Sequence, residues 1–157
     1  MAQAVCPRSR PGVLAALGPE ALLLEHVGST SVPGLAAKPI IDMLLVVPNS
    51  ADEPSYVPAL EAAGYRLWIR EPAWFEHRLF NGRDTRINLH VFSAGCPEIE
   101  RMLRFRDRLR SCQADREHYE RTKRRLAQQV WQHVQHYADA KTTIIEEILS
   151  HTITTES

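Results

Sequence analysis

Two apolar runs of strand length, Ala21–Val27 (ALLLEHV) and Pro39–Val47 (PIIDMLLVV), flank a stretch of small residues, Gly, Ser, Pro and Ala. Both read as buried strands, and Pro39 is acceptable as the first residue of the second. That second strand carries one acidic residue, Asp42, on the same face as Leu44 and Val46. A lone buried carboxylate is very costly, so Asp42 must be paired, bound to metal or shifted in its titration. An ion pair with an arginine meets that need as well as a metal does.

The rest of the chain divides into strands, then helices. Glu53–Ala63 suits a helix, with Pro54 in its first turn, Gly64 just past its end and Pro58 as a potential kink. Tyr65–Arg70, Phe75–Phe80 and Thr85–Phe92 are strand candidates. Asn81-Gly82 is a hairpin signal between the last two, lengthened by Arg83-Asp84. From Pro97 the period turns helical, with Ile99, Met102, Leu103 and Leu109 in one stripe. Asp115 can cap a longer helix carrying Tyr119, Leu126, Val130, Val134 and Tyr137. Ala140–Leu149 forms a last helix. Pro7, Pro11, Gly12, Gly18 and Pro19 allow at most a short helix around Val13–Leu17. Strands early and helices late predict an α+β fold, with the C-terminal helices covering one face of a sheet. The 157 residues read as a single domain, 1–157, with a divergent N-terminal segment over 1–20.

Composition narrows the class. The 19 basic and 19 acidic residues cancel, so no global field draws the chain to nucleic acid or membrane. Residues 101–157 carry eleven basic against eight acidic side chains, which suits a solvated, Arg-rich helix face. Cys6, Cys96 and Cys112 are odd in number and widely spaced, which argues against a disulfide framework or a zinc knuckle. No apolar run approaches the ~18 residues of a membrane span, and the N-terminus lacks the apolar core of a signal peptide. The expectation is a reduced, soluble, cytoplasmic protein with no membrane partner.

Several polar residues stand where apolar ones are expected. Gly28-Ser29-Thr30-Ser31 is a hydroxyl-rich turn of the kind that offers N–H groups to an anion, or that caps a helix. Lys38 can add a point charge for a phosphate. On a helical wheel Arg106 falls within the stripe of Ile99, Met102, Leu103 and Leu109, and Lys123 falls among Tyr119, Leu126 and Val130. Each must snorkel or meet an anion, either a ligand or a carboxylate such as Asp42. Alternation puts Arg86, Asn88 and His90 on one strand face, and His26 ends the first strand. His26, Asp42 and His90 have the ligand types of a two-His, one-carboxylate metalloenzyme. Trp68, Trp74 and Phe75 suit either a core or a stack on a nucleobase.

The block from His26 to Asp42, His-Val-Gly-Ser-Thr-Ser-Val-Pro-Gly-Leu-Ala-Ala-Lys-Pro-Ile-Ile-Asp, resembles the signature of the GrpB (glutamate-rich protein B-like) family. The segments Asn88-Leu-His-Val-Phe, Leu103–Arg110 and Tyr119–Lys123 are similar to that family's second half, so the resemblance covers about residues 24–149. It implies a nucleotidyltransferase-like fold of the DNA polymerase beta type, a mixed β-sheet covered by helices. In that fold a Gly-Ser turn grips nucleotide phosphates and carboxylates hold divalent metal. Gly28-Ser29 matches the turn, and Asp42 matches the first carboxylate of an Asp-x-Asp pair. Leu44 stands at the second position and His90 at the third carboxylate's position, while Asn88 stands where members often show His.

The resemblance therefore implies a protein that binds a nucleotide or other phosphorylated ligand with Mg²⁺ or Mn²⁺. Gly28, Ser29, Thr30, Ser31, Lys38, Arg106 and Lys123 would hold phosphate. Asp42 would be catalytic and a metal ligand, with His90 and His26 as further metal ligands. Such a protein would be a nucleotidyltransferase with an incomplete carboxylate set, or a non-catalytic ligand-binding or docking domain. Family members fused to a dephospho-coenzyme A kinase imply an enzyme of coenzyme A biosynthesis as a partner. This chain carries no GxxxxGK[ST] loop of its own.

Overall fold

A computed structural model describes residues 9–35, 40–82, 86–128 and 134–154. Five strands form one mixed sheet: β1 (Leu23–Val27), β2 (Ile41–Val47), β3 (Tyr65–Glu71), β4 (His77–Gly82) and β5 (Ile87–Ser93). Their order is β1-β2-β5-β4-β3, with β2 and β5 parallel and every other neighbouring pair antiparallel. β2 is an interior strand, flanked by β1 and β5, which suits its nearly unbroken apolar run. Residues 43–47 are all buried.

The contacts divide the chain into two compact units, residues 1–102 and 103–157. In the first, α1 (Ser9–Leu17) and α2 (Val57–Ala62) contribute Val13, Leu17, Val57 and Leu60 to a core with Met43, Leu45, Val47, Phe80, Leu89 and Val91. Alternation leaves Asp42, Asn88 and His90 on the opposite face of the sheet from that core. The second unit holds most of α3 (Pro97–Ser111), together with α4 (Gln113–Gln128) and α5 (Val134–Thr154). Tyr119 and Leu126 of α4 are buried, as are Ile144, Ile148 and Leu149 of α5. Among the described residues no helix is long and apolar enough to cross a membrane.

Several boundaries differ from the sequence expectation, each for a local reason. The expected helix Glu53–Ala63 is a 3-10 turn, Glu53–Ser55, followed by α2. Pro58 lacks an N–H and would clash with the carbonyl four residues back, so it opens α2 instead of kinking a longer helix. The strand expected at Phe75 starts at His77, because Phe75 and Glu76 both have positive φ (56° and 54°). α1 begins at Ser9 and not at Val13, since Pro11 sits in its first turn, where no N–H is needed. Val134, expected on the preceding helix, opens α5, which extends beyond Ala140–Leu149 at both ends. Asn81 and Gly82, expected as a hairpin turn, are instead the last residues of β4, paired with β3, while Pro39, Arg83, Asp84 and Val130 lie outside the described residues.

Asp115, expected to cap α4, lies inside its first turn with its carboxylate given to Arg108 and His151. It accepts from Arg108 Nε at 2.6 Å and His151 Nδ1 at 2.9 Å, which ties the ends of α3, α4 and α5 together. These two partners outweigh the burial that opposes them and hold its carboxyl below the usual range.

Arg78 is buried and donates to Glu53 and to the carbonyl of Glu76. The Arg70 hydrogen bond and, next among the lowering influences, that from Arg78 bring Glu53 down to about 2 against the opposing effect of burial. A carboxyl depressed in the folded state stabilises above its unfolded pKa, and that stability is lost as pH falls through the folded value. Urea unfolding of the wild type should therefore weaken between pH 4.5 and about 2 by more than that of Glu53→Gln. Parallel stability curves for the two proteins would remove Glu53 from the acid response.

Candidate functional site

β1 ends at Val27, and the chain turns at once through Gly28 into a 3-10 turn, Ser29–Ser31. Gly28 has φ 75° and ψ −176°, a conformation essentially confined to glycine. Antiparallel register sets Val27 opposite Asp42, so the turn rises directly over that residue. A Cβ added at Gly28 would lie 2.7 Å from Asp42 Oδ2 and 3.0 Å from its Cβ. The missing side chain is what lets the turn and the carboxylate touch.

The turn is held from within. Ser31 Oγ donates to the Gly28 carbonyl at 2.5 Å. Thr30 Oγ1 donates to the Ile40 carbonyl and lies 2.8 Å from His26 Nε2. Since the hydroxyl proton goes to Ile40, the network assigns His26 Nε2–H as the donor to Thr30. The hydroxyls of Thr30 and Ser31 thus shape the turn, and the Ser31 N–H also donates within it, to the Gly28 carbonyl at 3.1 Å.

Asp42 occupies the second position of β2, at the mouth of the strand, with its side chain 32% exposed. That placement answers the problem of an acid in an apolar strand. Among the described residues its partners are not arginines. Parallel pairing with β5 sets Asn88 beside Asp42 and His90 beside Leu44, and Asp42 Oδ1 accepts from Asn88 Nδ2 and His90 Nε2, both at 3.3 Å.

The contacts continue into β4 and β3. His90 Nδ1 is 3.1 Å from His77 Nε2, and His77 Nδ1 is 2.7 Å from Glu71 Oε1. Burial, opposed by the Glu71 hydrogen bond, holds the His77 imidazole below the usual histidine range. A neutral His77 that donates to Glu71 leaves Nε2 to accept from His90 Nδ1–H. The other ring nitrogen of His90, Nε2, faces the Asp42 carboxylate.

The structure does not bring His26 to this group. His26 pairs with Met43, on the face opposite Asp42 and His90, so the expected His26–Asp42–His90 metal centre is not formed. Among the described residues no set of three His, Cys, Asp or Glu side chains is placed to hold a metal ion. Leu44, which the resemblance set at the second carboxylate position, is fully buried. These donors do not fit a two-metal centre. One hard cation fits better, because Mg²⁺ is commonly held by a single carboxylate, water and ligand phosphates. Lys38 lies outside the described residues. Arg106 and Lys123 belong to the second unit, where Arg106 pairs with Asp107 at 2.9 Å and Lys123 Nζ lies 5.3 Å from the Tyr119 ring.

The three aromatic residues left open between core and ligand are all exposed. Trp68 sits at a bulge in β3 with the Arg66 guanidinium 4.9 Å from its ring. Trp74 and Phe75 occupy the turn before His77. His77 and Glu71 escaped the sequence reading, since only the β3–β4–β5 register brings them to His90.

Residues 8–151 match the family described as GrpB protein. The chain belongs to the GrpB family. It is 64% identical to a UPF0157 protein of Halalkalibacterium halodurans over 90% of this chain and 73% of that one. A UPF0157 protein of Streptomyces coelicolor is 44% identical over 91% of this chain and 75% of its own. The crystal structure of conserved protein GrpB from Enterococcus faecalis superposes with a TM-score of 0.73 at 30% identity, over 90% of this chain and 88% of that chain. That GrpB likeness spans the five-stranded α+β architecture which sets the turn against Asp42.

Gly28→Ala should lower stability by about 1–3 kcal/mol, since it combines a glycine-only backbone with a clash against Asp42. Asp42→Gly in the same chain should recover the steric part of that loss. Urea unfolding of both variants and the double variant measures the coupling, and strict additivity would count against the contact.

Proposed function

We propose that this GrpB-family chain binds a phosphorylated small molecule against the backbone of Gly28–Ser31, with one Mg²⁺ or Mn²⁺ held through Asp42. The contact between Gly28 and the Asp42 carboxylate carries this reading. A phosphate seated on that turn would lie beside a negative carboxylate, and a cation held by Asp42 would offset that repulsion. Bound there, the ion supplies charge neutralisation for phosphate oxygens. Asn88 and His90 orient Asp42 by donating to Oδ1. The nucleotidyltransferase-like fold implied by the family resemblance supports the same placement of turn and carboxylate.

Binding is favoured over transfer. In-line displacement between two metal ions needs further carboxylates. Leu44 and the imidazole of His90 stand in their places. A non-catalytic ligand-binding domain follows from that substitution.

Thermal unfolding in the presence of nucleoside triphosphates, coenzyme A and dephospho-coenzyme A, each with Mg²⁺, Mn²⁺ or chelator, tests the proposal. A ligand at a hundred times its dissociation constant adds about 2.7 kcal/mol. At this chain length that is a rise of several degrees. The rise should need metal, and Asp42→Asn should lose that metal dependence. A flat response across the panel at millimolar ligand would sink the proposal.

A further inference from the structure

Trp74 and Phe75 are 41% and 44% exposed, although both are large apolar rings beside a polar site. Their exposure is built into the turn. Phe75 and Glu76 both adopt positive φ, which non-glycine residues avoid. The Glu76 carbonyl accepts from Ser50 Oγ at 2.8 Å and from Arg78 Nη1 at 2.9 Å, and both donors belong to buried residues. Backbone bonds from Trp74 N to the Glu71 carbonyl and from His77 N to the Trp74 carbonyl close the same turn. Buried polar groups therefore hold an unfavourable backbone whose effect is to present two rings to solvent in fixed positions.

The rings also connect to the site. Trp74 meets Phe75, His77 and Phe92 edge to face, with interplanar angles of 64°, 81° and 68°, so none of the three lies parallel over it. His77 in turn stacks on His90, with centroids 5.3 Å apart, and His90 reaches Asp42. One continuous run of rings leads from the exposed pair to the carboxylate beside the Gly28 turn.

We propose that Trp74 and Phe75 form the seat for the base of a nucleotide, which makes the phosphorylated ligand of this site a nucleotide. The inference rests on the phosphate reading above for the anionic end and on the exposed ring pair for the aromatic end. Aromatic side chains accept any base by stacking on its π-face.

Calorimetric titration of the wild type, Trp74→Leu and Phe75→Gly with the four ribonucleoside triphosphates, inorganic triphosphate and the parent nucleosides tests it. Phe75→Gly removes a ring while giving the turn a residue that accepts positive φ, so this variant should remain folded. The wild type should bind at least one nucleoside triphosphate roughly ten-fold more tightly than inorganic triphosphate, the scale of one base stack. Both variants should lose that preference while their affinity for inorganic triphosphate is unchanged. A preference that survives in both variants, or none in the wild type, overturns the base seat and leaves the phosphate reading standing. Nucleoside binding that both variants abolish, without any binding of inorganic triphosphate, supports the seat and overturns the phosphate reading. Sedimentation velocity supplies the last outcome: a wild-type dimer that dissociates in Phe75→Gly gives the rings to a second copy of the chain and overturns the proposal.

Discussion

The parallel pairing of β2 with β5 is the constraint from which the polar site follows. Because strand side chains alternate with a period of two, the register that sets Asp42 beside Asn88 and Leu44 beside His90 decides which face each occupies. A slip of one residue would turn Asn88 and His90 into the apolar core and bring Leu89 out beside Asp42. The opposite face cannot tolerate that exchange. Met43, Leu45, Leu89 and Val91 pack there with the residues of α1 and α2, and their burial holds the register in place.

With the register set, the antiparallel hairpin from β1 brings Gly28 over Asp42, and β4 brings His77 to His90. The resulting chain from Asp42 through His90 and His77 to Glu71 passes from a partly exposed carboxylate through a buried imidazole to a half-exposed carboxylate. Low dielectric strengthens such contacts when all are made, and makes each one costly to leave open. Among the described residues no buried side-chain nitrogen or oxygen lacks a partner, so the polar insertion into this sheet is fully satisfied. The same economy holds at Glu53, Arg70 and Arg78, where a buried guanidinium is matched and also anchors the turn carrying Trp74 and Phe75.

Much of the architecture was legible in the residues. The apolar runs at Ala21–Val27 and Pro39–Val47, the alternation along Ile87–Val91 and the helical period after Pro97 each announced the right element. Boundaries went astray where a local effect outweighed pattern: Pro58 starting a helix, or a pair of positive-φ residues delaying β4. The site was half legible. Asp42 stood out as an acid in an apolar strand, and Gly28 as the glycine of a turn. His77 gave no such signal, since a histidine next to a charged residue in a hairpin strand has no pattern that marks it. His26 misled, because residue type alone cannot say which face a side chain takes.

What the sequence by itself determined is local: which segments are strands or helices, where an acid breaks an apolar run, and which family the His26–Asp42 block marks. Those properties depend on neighbours along the chain, through backbone preference and hydrophobic period. Tertiary structure alone decided the partners of Asp42, the separation of His26 from it and the exposure of Trp74 and Phe75. Each depends on strand order and register, which are set by the burial of side chains far apart in the sequence.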